Sequence, residues 1–191
     1  MTPDLRKRRV WLRPSIAAGN AIQLAGLFLG CLLLRTAASA GFPHLAVAEV
    51  LAGLFLIYLS CHAIAHWLAG RLLGIRYRYY TVGGTGNPQG WPAGLRWLME
   101  HLPFFGVQTD RASMDQANPV AKAVMWSAGV TASAMVPTLG AFWAWHAEIP
   151  KGRAVFWFTL IWSVGTVIAN WFGPGGDYLK ARTALTNQAG K

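Results

Sequence analysis

Apolar positions in this chain fall into four long runs, at 16–34, 45–73, 119–147 and 154–172. Each reaches the ~20 residues that a helix needs to cross a ~30 Å hydrocarbon core. None shows the two-residue alternation of a barrel strand, and in lipid only helices and closed barrels satisfy their own backbone groups. The pattern predicts an all-α integral membrane protein, one membrane domain over 1–191 with about four transmembrane helices. The links at 36–44 and 148–153 are short, so the helices they join are antiparallel neighbours.

The segment 75–118, between the second and third runs, has a different character. Tyr77-Arg78-Tyr79-Tyr80-Thr81-Val82 is rich in strand formers, and Gly83-Gly84-Thr85-Gly86-Asn87-Pro88 forces a turn. The stretch 95–105 is apolar and aromatic but too short to span, so it is expected in the interface or as a re-entrant piece. The loop is therefore expected to be partly β or re-entrant, and a loop this long in a small protein is usually functional. Its glycines lack the Lys-Ser/Thr ending of a phosphate loop.

Composition supports the membrane reading. Apolar residues make up 54% of the 191 positions, more than a soluble domain of this size can fold inward. The net charge of +10 resides at the ends of apolar runs, which points to anionic headgroups and membrane orientation and away from nucleic acid. The cluster Arg6-Lys7-Arg8-Arg9, then Arg71, Arg76 and Arg78, then Lys180 and Arg182, share one side if both termini are cytoplasmic, as in a prokaryotic inner membrane. Lys151 and Arg153 fall on the other side. Trp11, Trp67, Trp145 and Trp171 lie near span ends, where they suit an interfacial belt or plain lipid-facing bulk. The first apolar run is longer than a signal-peptide core and is read as a retained helix. Cys31 and Cys61 lie within apolar runs, where a disulfide framework is not expected.

Candidate chemistry begins with Ser60-Cys61-His62-Ala63-Ile64-Ala65-His66. His62 and His66 leave one helix face a turn apart, close enough to share an ion, and imidazoles inside a membrane helix are costly unless satisfied. The fourth run ends in Asn170-Trp171-Phe172-Gly173-Pro174-Gly175-Gly176-Asp177, a helix-breaking stretch with a single acid. Alternative readings are two histidines bonded to neighbouring helices and a solvated Asp177. Depth bears on the choice. His62 and His66 lie roughly 25 and 31 Å along the second helix, and Asp177 roughly 34 Å along the fourth, at 1.5 Å per residue. The two helices run in the same direction, so all three side chains reach the same end of the bilayer. Two imidazoles and a carboxylate are a common catalytic zinc set with a fourth position left for water.

Over roughly 45–182 the chain resembles the site-2 protease class of intramembrane zinc metalloproteases. In that class a membrane helix carries H-E-x-x-H, and a later broken helix of Asn-Pro-Asp-Gly type supplies the third ligand. The resemblance implies His62, His66 and Asp177 as Zn2+ ligands, with Asn170 and Pro174 in the second pattern. It also likens Ser127-Ala128-Gly129-Val130-Thr131-Ala132 to the Ala-Gly-rich helix that packs on the site. Two positions depart from the pattern: Tyr178 stands where the class has glycine, and Ala63 where it has the general-base glutamate. A methyl group moves no proton, and acid–base assistance is typically worth 10²–10⁴-fold, so the chain is expected to cleave peptides very poorly. Ala63 is either an engineered change or the mark of a natural pseudo-protease. Glu49 and Glu148 are too remote to substitute, and Glu100 in the loop is the one conceivable stand-in.

The reading from the resemblance is thus a metalloprotease scaffold, inactive as given, in contact with the bilayer and with a transmembrane-helix substrate or a membrane-protein partner. The alternative is a non-catalytic structural or regulatory subunit of a larger membrane complex. A single haem cannot take His62 and His66 as opposite axial ligands, since both leave one face. A transporter is disfavoured by four spans without an internal repeat.

Overall fold

The computed structural model describes residues 10–85 and 93–186. The cluster Arg6-Lys7-Arg8-Arg9 and the turn residues Gly86-Asn87-Pro88 lie outside the described residues. The elements are β1 (Val10–Leu12), α1 (Ile16–Ala37), α2 (Pro43–Leu72), β2 (Tyr77–Gly83), α3 (Ala93–His101), β3 (Phe104–Thr109), α4 (Arg111–Gln116), α5 (Pro119–His146), α6 (Gly152–Phe172) and α7 (Asp177–Thr186).

The helix boundaries follow local signals. The Ser15 hydroxyl accepts from the Ala18 N–H at 3.2 Å and starts α1. Asn118 does the same for α5, accepting from the Ala121 N–H at 2.7 Å just before Pro119. These side chains satisfy amide groups that have no partner within the helix. Pro43 opens α2 from the first turn, where its missing N–H costs nothing.

Among the described residues three helices, α1, α2 and α6, are long and apolar enough to cross a membrane. The expectation of about four counted 119–147 as well. Helix α5 covers that run and has 28 residues, ample length to cross, but it does not reach the apolarity of the other three. The reason is its small-residue face. Ala121, Ala123, Gly129, Ser133, Ala141 and Ala144 are buried and allow close approach to α2, α6 and α7, while Met135, Leu139 and Phe142 are exposed as on the other long helices. Phe28, Ile161 and Phe172, for example, are exposed, as lipid-facing side chains would be.

The bundle is held differently at its two ends. At the end away from β2, Leu34, Ala37, Ala46, Val50, Leu54, Ala141, Ala144, Ile149 and Val155 form one buried cluster drawn from all four long helices and the α5–α6 turn. Glycines set the α1–α2 crossing there. A Cβ on Gly53 would lie 2.8 Å from the Gly30 carbonyl oxygen, and one on Gly30 2.8 Å from that of Gly53.

At the other end the chain departs from an all-α expectation. A three-stranded antiparallel sheet in the order β1-β2-β3 covers the bundle. The strand expected at 77–82 is present as β2. The apolar stretch 95–105, expected as one interfacial or re-entrant piece, is divided between α3 and the start of β3, where Phe104 and Phe105 pair with Gly83 and Val82. Trp11, expected at a span end, lies in β1. A register shift between Tyr77 and Tyr79 explains how two tyrosines three residues apart both reach helices, since regular alternation would put them on opposite faces. Tyr77 donates its hydroxyl to the His66 carbonyl at 2.6 Å. Tyr80 donates to the Asn20 side chain at 2.6 Å and is fully buried against Gly19. Both chain ends of the described structure, β1 and α7, lie at this end.

The glycine crossing is testable. Gly53→Val is expected to destabilise the protein by about 1–3 kcal/mol through overpacking, read as a lower thermal midpoint in detergent micelles. Gly165→Ala, in α6 with nothing within 4 Å of its would-be Cβ, is expected to leave the midpoint unchanged or raise it slightly.

Candidate metal centre

Helix α2 presents His62 and His66 one turn apart toward α5, and the chain beyond α6 folds back to bring Asp177, the first residue of α7, between them. The Nε2 atoms of His62 and His66 are 3.2 Å apart. Asp177 Oδ2 lies 3.4 Å from the first and 3.3 Å from the second. Tetrahedral coordination with bonds of ~2.0–2.1 Å places ligand atoms about 3.3 Å from one another. The three atoms therefore form one face of a coordination tetrahedron, and no other set of three His, Cys, Asp or Glu side chains among the described residues converges in this way.

The outer nitrogens are also engaged. His66 Nδ1 sits 2.6 Å from the Met125 carbonyl, which can only accept, so Nδ1 carries the proton and Nε2 keeps its lone pair in the neutral ring. His62 Nδ1 lies 3.0 Å from the Ser133 hydroxyl, which can accept or donate. Pro137 follows Ser133 by four residues within α5 and removes the donor that the Ser133 carbonyl would otherwise receive. Gly129 is what allows α5 so close, because a Cβ there would fall on the His66 ring.

Asp177 is fixed by its other atoms. Its backbone N–H donates to the Asn170 side-chain oxygen at 3.3 Å, while the Asn170 amide donates to the Thr166 carbonyl at 3.0 Å. Asn170 thus ties the end of α6 to the start of α7 and is a positioning residue. Pro174 lies in the turn between Gly173 and Gly176 that makes the fold-back. Gly175 there has φ +80°, a left-handed conformation suited to glycine. The Lys180 ammonium donates to Asp177 Oδ1 at 2.8 Å and lies 4.4 Å from the centre of the Trp126 ring. Burial pushes the Asp177 carboxyl toward protonation, but the two adjacent imidazoles and the Lys180 charge hold its pKa well below the usual carboxylate range.

The structure thus brings together His62, His66 and Asp177, and gives Asn170 and Pro174 supporting places. Ala63 is on the same helix but fully enclosed. The N–H of its neighbour Ile64 donates to Gln23 of α1 at 3.0 Å. Glu100 is not part of the convergent group. The sequence reading missed Ser133, the Met125 carbonyl and Lys180 as partners of the ligands. Only Lys180 had a readable signal, its i+3 spacing from Asp177.

The residues could hold a metal ion, fitting one in ligand type, spacing and outer hydrogen bonding. Metal analysis of the purified chain is expected to find close to one divalent ion per chain, lost in His66→Ala. Ser133→Ala is expected to weaken binding by about 10–100-fold, measured by competition with a chelating dye. Retention of the ion by His66→Ala would remove the site from consideration. Compared with protein-family models, with curated proteins and with solved structures, the chain matches none.

Proposed function

We propose that the chain is a zinc-binding membrane scaffold similar to the intramembrane metalloproteases of the site-2 class, lacking the general base that peptide cleavage requires. The observation that carries this reading is the triangle of His62 Nε2, His66 Nε2 and Asp177 Oδ2 at 3.2–3.4 Å, at one end of a bundle with three membrane-competent helices. In this reading α5 also crosses, with Met135, Leu139 and Phe142 facing lipid, so that four helices span the bilayer. Arg71, Arg76, Arg78, Lys180 and Arg182 lie toward the sheet end, which supports a cytoplasmic location for that end and for both termini, in a prokaryotic inner membrane.

A bound zinc would supply Lewis acidity and lower the pKa of a water in its fourth position. The protein's own residues hold His66 in the ligating tautomer through the Met125 carbonyl, seat His62 against Ser133, orient the carboxylate through Asn170 and Lys180, and keep the site partly closed. His62 is the most open of the three, with 33% of its side chain exposed against 7% for His66 and 13% for Asp177. Access is therefore on the His62 side. A partly unwound membrane helix is the substrate class this location suits. The sheet supplies a strand edge on which such a segment could pair.

One observation favours the second reading, a non-catalytic regulatory or structural subunit. The Ala63 methyl has no exposed surface, and Gln23 lies against the adjacent turn, so the packing is built around a small side chain there.

The deciding experiment is Ala63→Glu in the zinc-loaded protein with a membrane-helix substrate. A protease scaffold gains about 10²–10⁴-fold in cleavage rate over the parent chain. A zinc-loaded, folded Ala63→Glu protein with no gain rejects the protease reading and leaves a metal-binding membrane protein.

A further inference from the structure

We propose that Lys180 and the open fourth position of the metal centre form a two-point subsite for a ligand bearing a carboxylate. The inference rests on the metal reading above but not on proteolysis.

Lys180 is set beside the centre by two contacts. Its ammonium donates to Asp177 Oδ1 at 2.8 Å, while Oδ2 of the same carboxylate faces the two imidazoles. The Trp126 ring, 4.4 Å away, flanks the ammonium on another side. The cation is thus one carboxyl group removed from the metal position. An ammonium has three donors, and Asp177 accepts one of them. Lys180 is not closed off, since 41% of its side chain is exposed, and His62 is the exposed rim of the ligand triangle.

Charge balance then points to an anion. A divalent ion contributes two positive charges, Asp177 removes one and Lys180 restores one, while neutral imidazoles add nothing. Position 63 carries a methyl group, so no second carboxylate offsets the excess. Beside a low-dielectric bundle a centre with this surplus attracts an anionic ligand strongly. Asp177 itself displays the required geometry, with one oxygen toward the ion and the other on the ammonium. A carboxylate from a ligand can repeat it on the open side, one oxygen in the fourth position and the other on a free Lys180 donor. Two sources carry this group: a small organic acid and the C-terminus of a peptide.

The test uses the full chain in detergent micelles, stripped of metal and reloaded with Co2+, whose visible absorption band reports its coordination. Acetate, N-acetyl-dialanine with a free C-terminus, and the same dipeptide as its C-terminal amide are titrated in turn. The band is expected to shift saturably with acetate and with the free acid but not with the amide. Tighter binding of the dipeptide acid than of acetate identifies a chain terminus as the ligand, and equal binding identifies a small acid. At saturating Co2+, Lys180→Met is expected to weaken the response by about tenfold or more, whereas Lys180→Arg keeps it. A parent band that no carboxylate shifts, or a Lys180→Met response equal to the parent's, overturns the subsite while leaving the metal centre intact. A chain that gives no Co2+ band different from that of His66→Ala overturns the metal reading and the subsite with it.

Discussion

Two imidazole nitrogens and a carboxylate oxygen, each with a lone pair directed at the others, meet within 3.4 Å at one end of this helical bundle. Lone pairs brought this close repel unless a positive charge lies among them, and the partly buried surroundings weaken that repulsion less than bulk solvent would. Because the Met125 carbonyl holds the outer proton of His66, its inner nitrogen carries a proton only if the ring becomes charged. The convergence is satisfied by a proton shared from His62 or by a metal ion. Only the ion uses all three lone pairs at once.

Much of the remaining architecture follows from bringing these groups together. Asp177 belongs to a different helix from the histidines, so the chain must turn sharply after α6, which the Gly-Pro-Gly-Gly sequence permits and Asn170 secures. Helix α5 must pass close to His66, which Gly129 permits. It must also present Ser133 and the Met125 carbonyl to the outer nitrogens. The small residues that let α5 approach its neighbours closely lower its apolarity, although Met135, Leu139 and Phe142 still face outward. The tyrosines of β2 complete the arrangement by fastening α1 and α2 at the site end. Tyr77 does so on the His66 carbonyl itself.

The long-range pairing of the site was legible because it depends on helix geometry. Counting 1.5 Å per residue from the far ends of α2 and α6 puts His62, His66 and Asp177 at one depth, and the structure brings them into contact. The run boundaries were legible for a similar reason, since apolar length is dictated by what must be buried or face lipid. Ser133 and Met125 were not legible. A backbone carbonyl has no sequence signature, and the serine was one of several small polar residues on α5 until the position of α5 against α2 was known. The sheet was only half visible. The β2 tyrosines announce a strand, but β1 has three residues, and the apolar content of 95–105 imitates an interfacial helix while its last two residues, Phe104 and Phe105, begin β3.

Position 63 links the packing to the chemistry. A glutamate there would do more than move protons, because its charge would bring a +2 centre down to +1. With alanine, that extra charge remains to be balanced by whatever enters from the open side. In the proposed reading, alanine at this position both withholds acid–base assistance and leaves the charge of a bound divalent ion open to an anion, and Lys180 adds to that attraction.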